Sequence, residues 1–120
     1  MVKMIALLKR KPGMSREDFN ERWLVEHTKL SSQLPGCREY RINLCLPQQP
    51  EGTGDEPIYD GTAKLWWDNM AQMEQCFASD TAQIAGADVD LFCELRVHFY
   101  TQEYLVVSGG RIVQPPREVS

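Results

Sequence analysis

His27 stands within an apolar stripe. With residues 15–34 read as a helix, Phe19, Trp23, His27, Leu30 and Leu34 follow at steps of four, four, three and four, on one face. Four of the five are core-forming residues. The fifth is an imidazole, a group that titrates near neutral pH and is here aimed at the interior. Where an interior cavity exists, such a histidine is its acid or base; without one, it is a core histidine hydrogen-bonded to backbone. A base that takes a proton from a small cyclic substrate also needs a donor for the developing oxyanion or leaving hydroxyl. Tyr40 and Tyr59 are the candidates. Tyr40 shares a face with Ile42 and Leu44, and is either that donor or a core aromatic with its hydroxyl at the rim. Asp60 either orients His27 or acts as acid, or else pairs with a surface arginine.

Strand alternation limits these choices. Tyr59 and Asp60 face opposite sides of a regular strand unless Gly61 marks a bulge. The same rule divides Trp66 from Trp67, one toward the pocket and one toward a partner, with Trp67 the pocket candidate. Trp23 and Phe77 complete the candidate binding set. His98 alternates with Arg96 and Tyr100 on the last strand. It belongs either to a subunit interface, the preferred reading, or to the helix side, where it could pair with His27.

Metal binding has no support in the spacing. There is no HxxxH, CxxC or acidic cluster, and Glu26 and His27 diverge by about 100° on a helix. Cys37 and Cys45 share one strand roughly 26 Å apart, too far to bridge. All four cysteines, with Cys76 and Cys93, read as reduced packing thiols. No cofactor is expected, with haem held through His27 alone as the alternative.

The chain has 120 residues, 42% hydrophobic and 25% charged, with a net charge of −4, so one soluble domain is expected. Scattered lysines and arginines argue against a nucleic-acid partner. No window approaches the length of a membrane span. The short apolar run at the N-terminus is closed by basic residues, the reverse of a signal peptide, so the cytoplasm is the expected compartment.

The elements that must position these residues follow from periodicity and turn chemistry. Residues 2–11 read as a strand ending at Pro12-Gly13. Ser15 with Asp18 opens the first helix, which Pro35-Gly36 ends. Residues 37–46 alternate as a strand, 47–57 form a loop rich in proline and acids, and 58–68 are the next strand. Asn69 with Gln72 opens a second helix, whose buried face is Met70, Met73, Phe77 and Ile84 and which breaks at 86–90. Residues 94–107 make one long last strand. The domain therefore spans 1–108, and 109–120 is a C-terminal tail. The order βαββαβ is ferredoxin-like, an α+β fold with a four-stranded antiparallel sheet and two helices on one face. Strands one and four carry apolar residues at both parities, so the uncovered sheet face is expected to meet a second subunit.

Three segments resemble the EthD family in the right order: MIALLKRKPGMSREDFNERWLVEH, LPGCREYRIN and YDGTAKLWWDN. The resemblance implies a dimeric α+β barrel, in which two ferredoxin-like subunits pack sheet to sheet and each keeps a pocket between its sheet and helices. It also implies that the histidine of W-x-x-x-H, here Trp23 to His27, points into that pocket. The implied activity is small-molecule catabolism by a cofactor-independent lyase or isomerase acting on a ring or lactone. The alternatives are a non-catalytic accessory or ligand-binding dimer for an ether- or aromatic-degrading oxygenase system, and a monooxygenase-type oxidoreductase.

Overall fold

The computed structural model describes residues 1–50 and 57–119. Along the chain run β1 (Val2–Arg10), α1 (Arg16–Glu21), a π-helical segment (Arg22–His27), α2 (Thr28–Ser31), β2 (Glu39–Leu44), β3 (Gly61–Trp67), α3 (Met70–Phe77), α4 (Asp80–Val89), β4 (Cys93–Thr101), β5 (Tyr104–Ser108) and β6 (Arg111–Glu118). The first four strands form an antiparallel sheet in the order β2-β3-β1-β4, the ferredoxin-like arrangement. Most of the loop read at 47–57 lies outside the described residues.

The register assigns every strand residue to a face. Tyr40, Leu65, Met4 and Tyr100 form one row across the sheet, and Ile42, Ala63, Ala6 and His98 form the next. Met4, Ala63 and Leu65 belong to the core beneath the helices, so their row-mates on β4 also look toward the helices. This corrects the interface reading of His98: together with Arg96 and Tyr100 it lies on the helix side. The outward face of β1 and β4 carries Ile5, Leu7, Leu95, Val97 and Phe99, the last three exposed. The two parities are thus both apolar on β1, whereas β4 is polar on the helix side, where Arg96, His98 and Tyr100 remain exposed, and apolar on the other.

The first helical region begins where Ser15 Oγ accepts from the Asp18 amide at 3.0 Å, as the capping pattern implies. Its middle is a π-helix, whose wider turn takes up an extra residue. The buried stripe therefore becomes Phe19, Trp23, His27 and Ser31, in even steps of four, and Leu30 is only half-buried. The Thr28 hydroxyl donates to the Leu24 carbonyl at 2.6 Å, occupying an acceptor in the widened segment.

The second helical region is two helices. Asn69 caps α3 through the Gln72 amide as expected, but the chain breaks at Ala78-Ser79, where Ser79 caps α4 through the Ala82 amide. Gly86 lies inside α4, which continues to Val89. The re-phasing leaves Ile84 and Met70 exposed and buries Ala82, Ala85 and Val89 instead, while Met73 stays fully buried.

The predicted long last strand is also two. β4 stops at Thr101, and β5 pairs with β6 in a separate ribbon, so the expected tail forms a strand. Pro115 and Pro116 are tolerated there because a two-stranded ribbon has free edges. A bond from the Val119 amide to the Glu103 carbonyl closes its base, and Lys3, stacked over Trp66, pairs with Glu103. The radius of gyration, 15.9 Å, exceeds the about 14 Å expected of a compact chain this long, in keeping with a projecting ribbon.

Candidate functional site

A cavity of about 530 Å³ lies between the sheet and the helices. That is within the about 300–1,000 Å³ usual for small-molecule sites. Its walls combine apolar strand residues (Met4, Ala6, Leu8, Ala63, Leu65) with small residues of α4, among them Ala82, Ala85 and Gly86. The space exists because α4 presents alanine and glycine where larger side chains would fill it. His27, Ser31, Tyr40, Gln83, Asp90, Arg96, His98 and Tyr100 supply the polar groups.

His27 is buried at 5% exposure, and its Nδ1 lies 2.8 Å from Asp88 Oδ2. Arg22 grips the same carboxylate with two bonds, Nη2 to Oδ1 at 2.6 Å and Nη1 to Oδ2 at 3.1 Å. The bidentate arginine holds Asp88 below the usual carboxylate range, with a further contribution from His27. An ionised carboxylate only accepts, so Nδ1 carries the proton and Nε2 keeps its lone pair. Nε2 has no protein partner among the described residues.

Burial pushes the His27 pKa down. Asp88 pulls the other way, and the charges of Arg22 and Arg96 reinforce the burial. A lone aspartate beside a histidine would favour imidazolium; here Arg22 already neutralises it. The outcome is a neutral imidazole of fixed tautomer, the form that accepts a proton. Phe92, fully buried, holds the cluster in place: its ring packs 5.4 Å from the imidazole and 4.9 Å from the Arg22 guanidinium.

The second polar group is Tyr40 with Ser31, hydroxyl to hydroxyl at 3.0 Å. Burial pushes the phenol up, so it stays protonated and can donate. Trp23 and Phe77 also line the cavity. Trp23 sits so close to β3 that a Cβ on Gly61 would stand 2.7 Å from its ring and 2.6 Å from the Asn43 carbonyl. Gly61 is therefore required for close approach, and it pairs in regular register with Leu8 and Leu44 rather than forming a bulge.

The other candidates lie elsewhere. Asp60 is buried, but it accepts from the Arg10 amide at 2.9 Å and from Arg10 Nη1 at 2.7 Å, with Arg16 at 3.7 Å. Of its two readings the arginine pair holds, and Asp88 takes the place beside His27. Tyr59 is absent from the cavity wall, and its carbonyl accepts from the Cys45 thiol. Trp67 is fully buried behind the wall, its ring 5.4 Å from Phe77 and its Nε1 bonded to the Pro35 carbonyl. Burial raises the Cys93 thiol to about 12, which makes it a packing group. Among the described residues no cluster of histidine, cysteine or acid is arranged to hold a metal ion, and no helix is long and apolar enough to cross a membrane.

Asp88 and Arg22 are the site residues that sequence reasoning missed. Arg22 precedes the marked stripe residue Trp23, and Asp88 falls in the segment read as a helix break. The signal for the pair was a run of small residues ending in an acid, A-G-A-D, at the end of an amphipathic helix.

No curated protein matches the chain. Among solved structures it is similar to an ethyl tert-butyl ether D (EthD) family protein from Bacillus halodurans, with 24% identity and a TM-score of 0.72 over 86% of this chain and 98% of that one. It is similar also to a dimeric ferredoxin-like protein of unknown function from Thermobifida fusca, at 18% identity and a TM-score of 0.65, covering 83% and 88% of the two chains. A hydroxynitrile lyase from Passiflora edulis shares the fold at 17% identity and a TM-score of 0.66, covering 83% and 90%. The EthD domain model matches residues 11–96, a span that holds the π-helical segment, β2, β3 and the whole of α4 with Asp88. With most of its length so matched, and the histidine of its first helix set in the cavity, this chain belongs to the EthD domain family.

Proposed function

We propose that the protein is a cofactor-independent acid–base enzyme, a lyase or isomerase that acts on a small ring or lactone substrate in small-molecule catabolism. One observation carries this reading: the Arg22–Asp88–His27 relay, which leaves a neutral imidazole with a free Nε2 at a cavity of ligand size. His27 removes the proton, and Tyr40, donating from beside Ser31, stabilises the oxyanion or protonates the leaving oxygen. Trp23 and Phe77 provide flat apolar surface for a ring. A hydroxynitrile lyase shares the fold, which is in keeping with a lyase on this scaffold.

The test is deuterium incorporation. Lactones and hydroxylated aromatics that raise the melting temperature are incubated with the protein in heavy water, and exchange at their acidic C–H positions is followed by NMR. Exchange with wild type, lost in His27→Ala while the fold persists, is the expected result. Tight binding without any exchange would instead favour the ligand-binding accessory reading.

The assembly reading goes with it: two copies pack through the outward sheet face of Ile5, Leu7, Leu95, Val97 and Phe99. Neighbours described as dimeric support this. Light scattering that gave a monomer at micromolar concentration would reject it.

A further inference from the structure

β4 contributes Arg96, His98 and Tyr100 to the cavity wall, three side chains that the acid–base step leaves unused. Arg96 differs from the other arginines near the site. Arg22 is paired with Asp88 and Arg10 with Asp60. Arg96 makes no ion pair among the described residues; its Nη1 donates only to the Gly86 carbonyl, at 3.1 Å. Asp90 lines the same cavity yet forms no pair with it.

That single bond uses one of five guanidinium N–H groups and fixes the side chain against α4. The guanidinium lies directly against Gly86, where a Cβ would meet Nη1 at 3.6 Å and Nη2 at 3.9 Å, ordinary contact distances. A cation held on a cavity wall with most of its donors free is preorganised for an acceptor, and a carboxylate matches its fork in charge and shape. His98 and Tyr100, whose side chains have no hydrogen-bond partner among the described residues, stand in the next positions of the same face.

We propose that the ligand of this cavity is an organic anion, a ring or lactone bearing a carboxylate, which docks on Arg96 with His98 and Tyr100 as flanking contacts. This rests on the acid–base reading only for its orientation: the carboxylate on β4 leaves the ring to meet His27. Arg96 is thus a specificity residue, and it contributes no proton to the reaction.

The experiment is calorimetric titration of the full chain with two matched pairs, salicylate against salicylamide and the γ-carboxylate of γ-butyrolactone against its carboxamide. Wild type, Arg96→Gln, Arg96→Lys and His27→Ala are compared. At least one carboxylate is expected to bind about tenfold or more tightly than its carboxamide. Arg96→Gln should abolish the difference, and Arg96→Lys should restore part of it by keeping the charge without the fork. Carboxylates that do not bind, that bind no better than the amides, or that keep their advantage in Arg96→Gln overturn the proposal. His27→Ala separates the two readings. If anion binding depends on Arg96 but no C–H exchange depends on His27, the acid–base reading fails while this one stands.

Discussion

Asp60 and Asp88 are both acids withdrawn from water and held by arginine, yet they serve opposite ends. Asp60 lies at the end of the sheet, where its carboxylate meets Arg10 and Arg16. Its own backbone links β1 and the residue after β2, with the amide donating to the Leu8 carbonyl and the carbonyl accepting from the Cys45 amide. The contacts there tie strand ends to one another and to the start of α1. Asp88 has one arginine, and its remaining acceptor capacity goes to an imidazole at the cavity. The third partner makes the difference. A second cation consumes a carboxylate's field in holding the fold. A histidine passes it on to a lone pair that a ligand can reach.

The comparison breaks most visibly at His27. His27→Gln is expected to lower deuterium exchange by about 10²–10⁴-fold, the usual worth of a positioned base. Measured unfolding free energy should fall by much less than that loss; equal losses would make His27 structural. Asp88→Asn should cost about tenfold or more in exchange, because an amide fixes neither the charge nor the tautomer of the ring. Asp60→Asn is the counterpart. It should leave exchange unchanged and cost about 2–3 kcal/mol in urea unfolding, since Arg10 loses its ion pair while partly buried. Activity lost in Asp60→Asn without loss of stability would restore Asp60 to the catalytic set. A comparable loss of stability is expected at Gly61. The alanine Cβ would press on the Asn43 carbonyl and on Trp23, at a cost of about 3 kcal/mol, with weaker ligand binding as the wall shifts.

Much of this was legible in the sequence, and the limits have physical causes. Period two on β2 and the caps at Ser15 and Asn69 are local signals, and they placed Tyr40 and the starts of both helical regions. The His27 stripe survived as well, although the π-helical segment exchanged Leu30 for Ser31. A wide turn arises from tertiary fit, and a fixed 3.6-residue period cannot register it. Strand parity says that His98 and Val97 face opposite ways but not which is inside; only pairing with β1 decides. The partner of His27 was the least legible. Asp60 and Asp88 are both remote from it in sequence, and the choice is made by how α4 packs across the first helical region. The A-G-A-D run looked like a break because glycine is a poor helix former. In the fold, that glycine lies inside α4, and its carbonyl accepts from the Arg96 guanidinium.

The subtlest test lies in the pH dependence of stability. The folded His27 titrates below its ordinary 6.5 because burial disfavours imidazolium. Between that lowered value and 6.5 the unfolded chain binds more protons than the folded one, so stability must rise with pH across the interval. Acidification through 6.5 therefore erodes stability until the folded histidine itself takes up its proton, and the loss then levels. Asp88 acts in a separate window. Its folded pKa lies below 3.8, so its contribution is complete above that value and is lost as pH falls through and beneath it. Urea unfolding measured from neutral to acid pH should show both slopes in wild type, and only the lower one in His27→Gln. Asp88→Asn should change both: it removes the lower slope, and it steepens the upper one, because the imidazole is then left with burial and the charges of Arg22 and Arg96 and with nothing to favour its protonation. A His27→Gln variant that kept the upper slope would mean that the imidazole is not held neutral by the fold, and the relay would lose its claim to prepare a base.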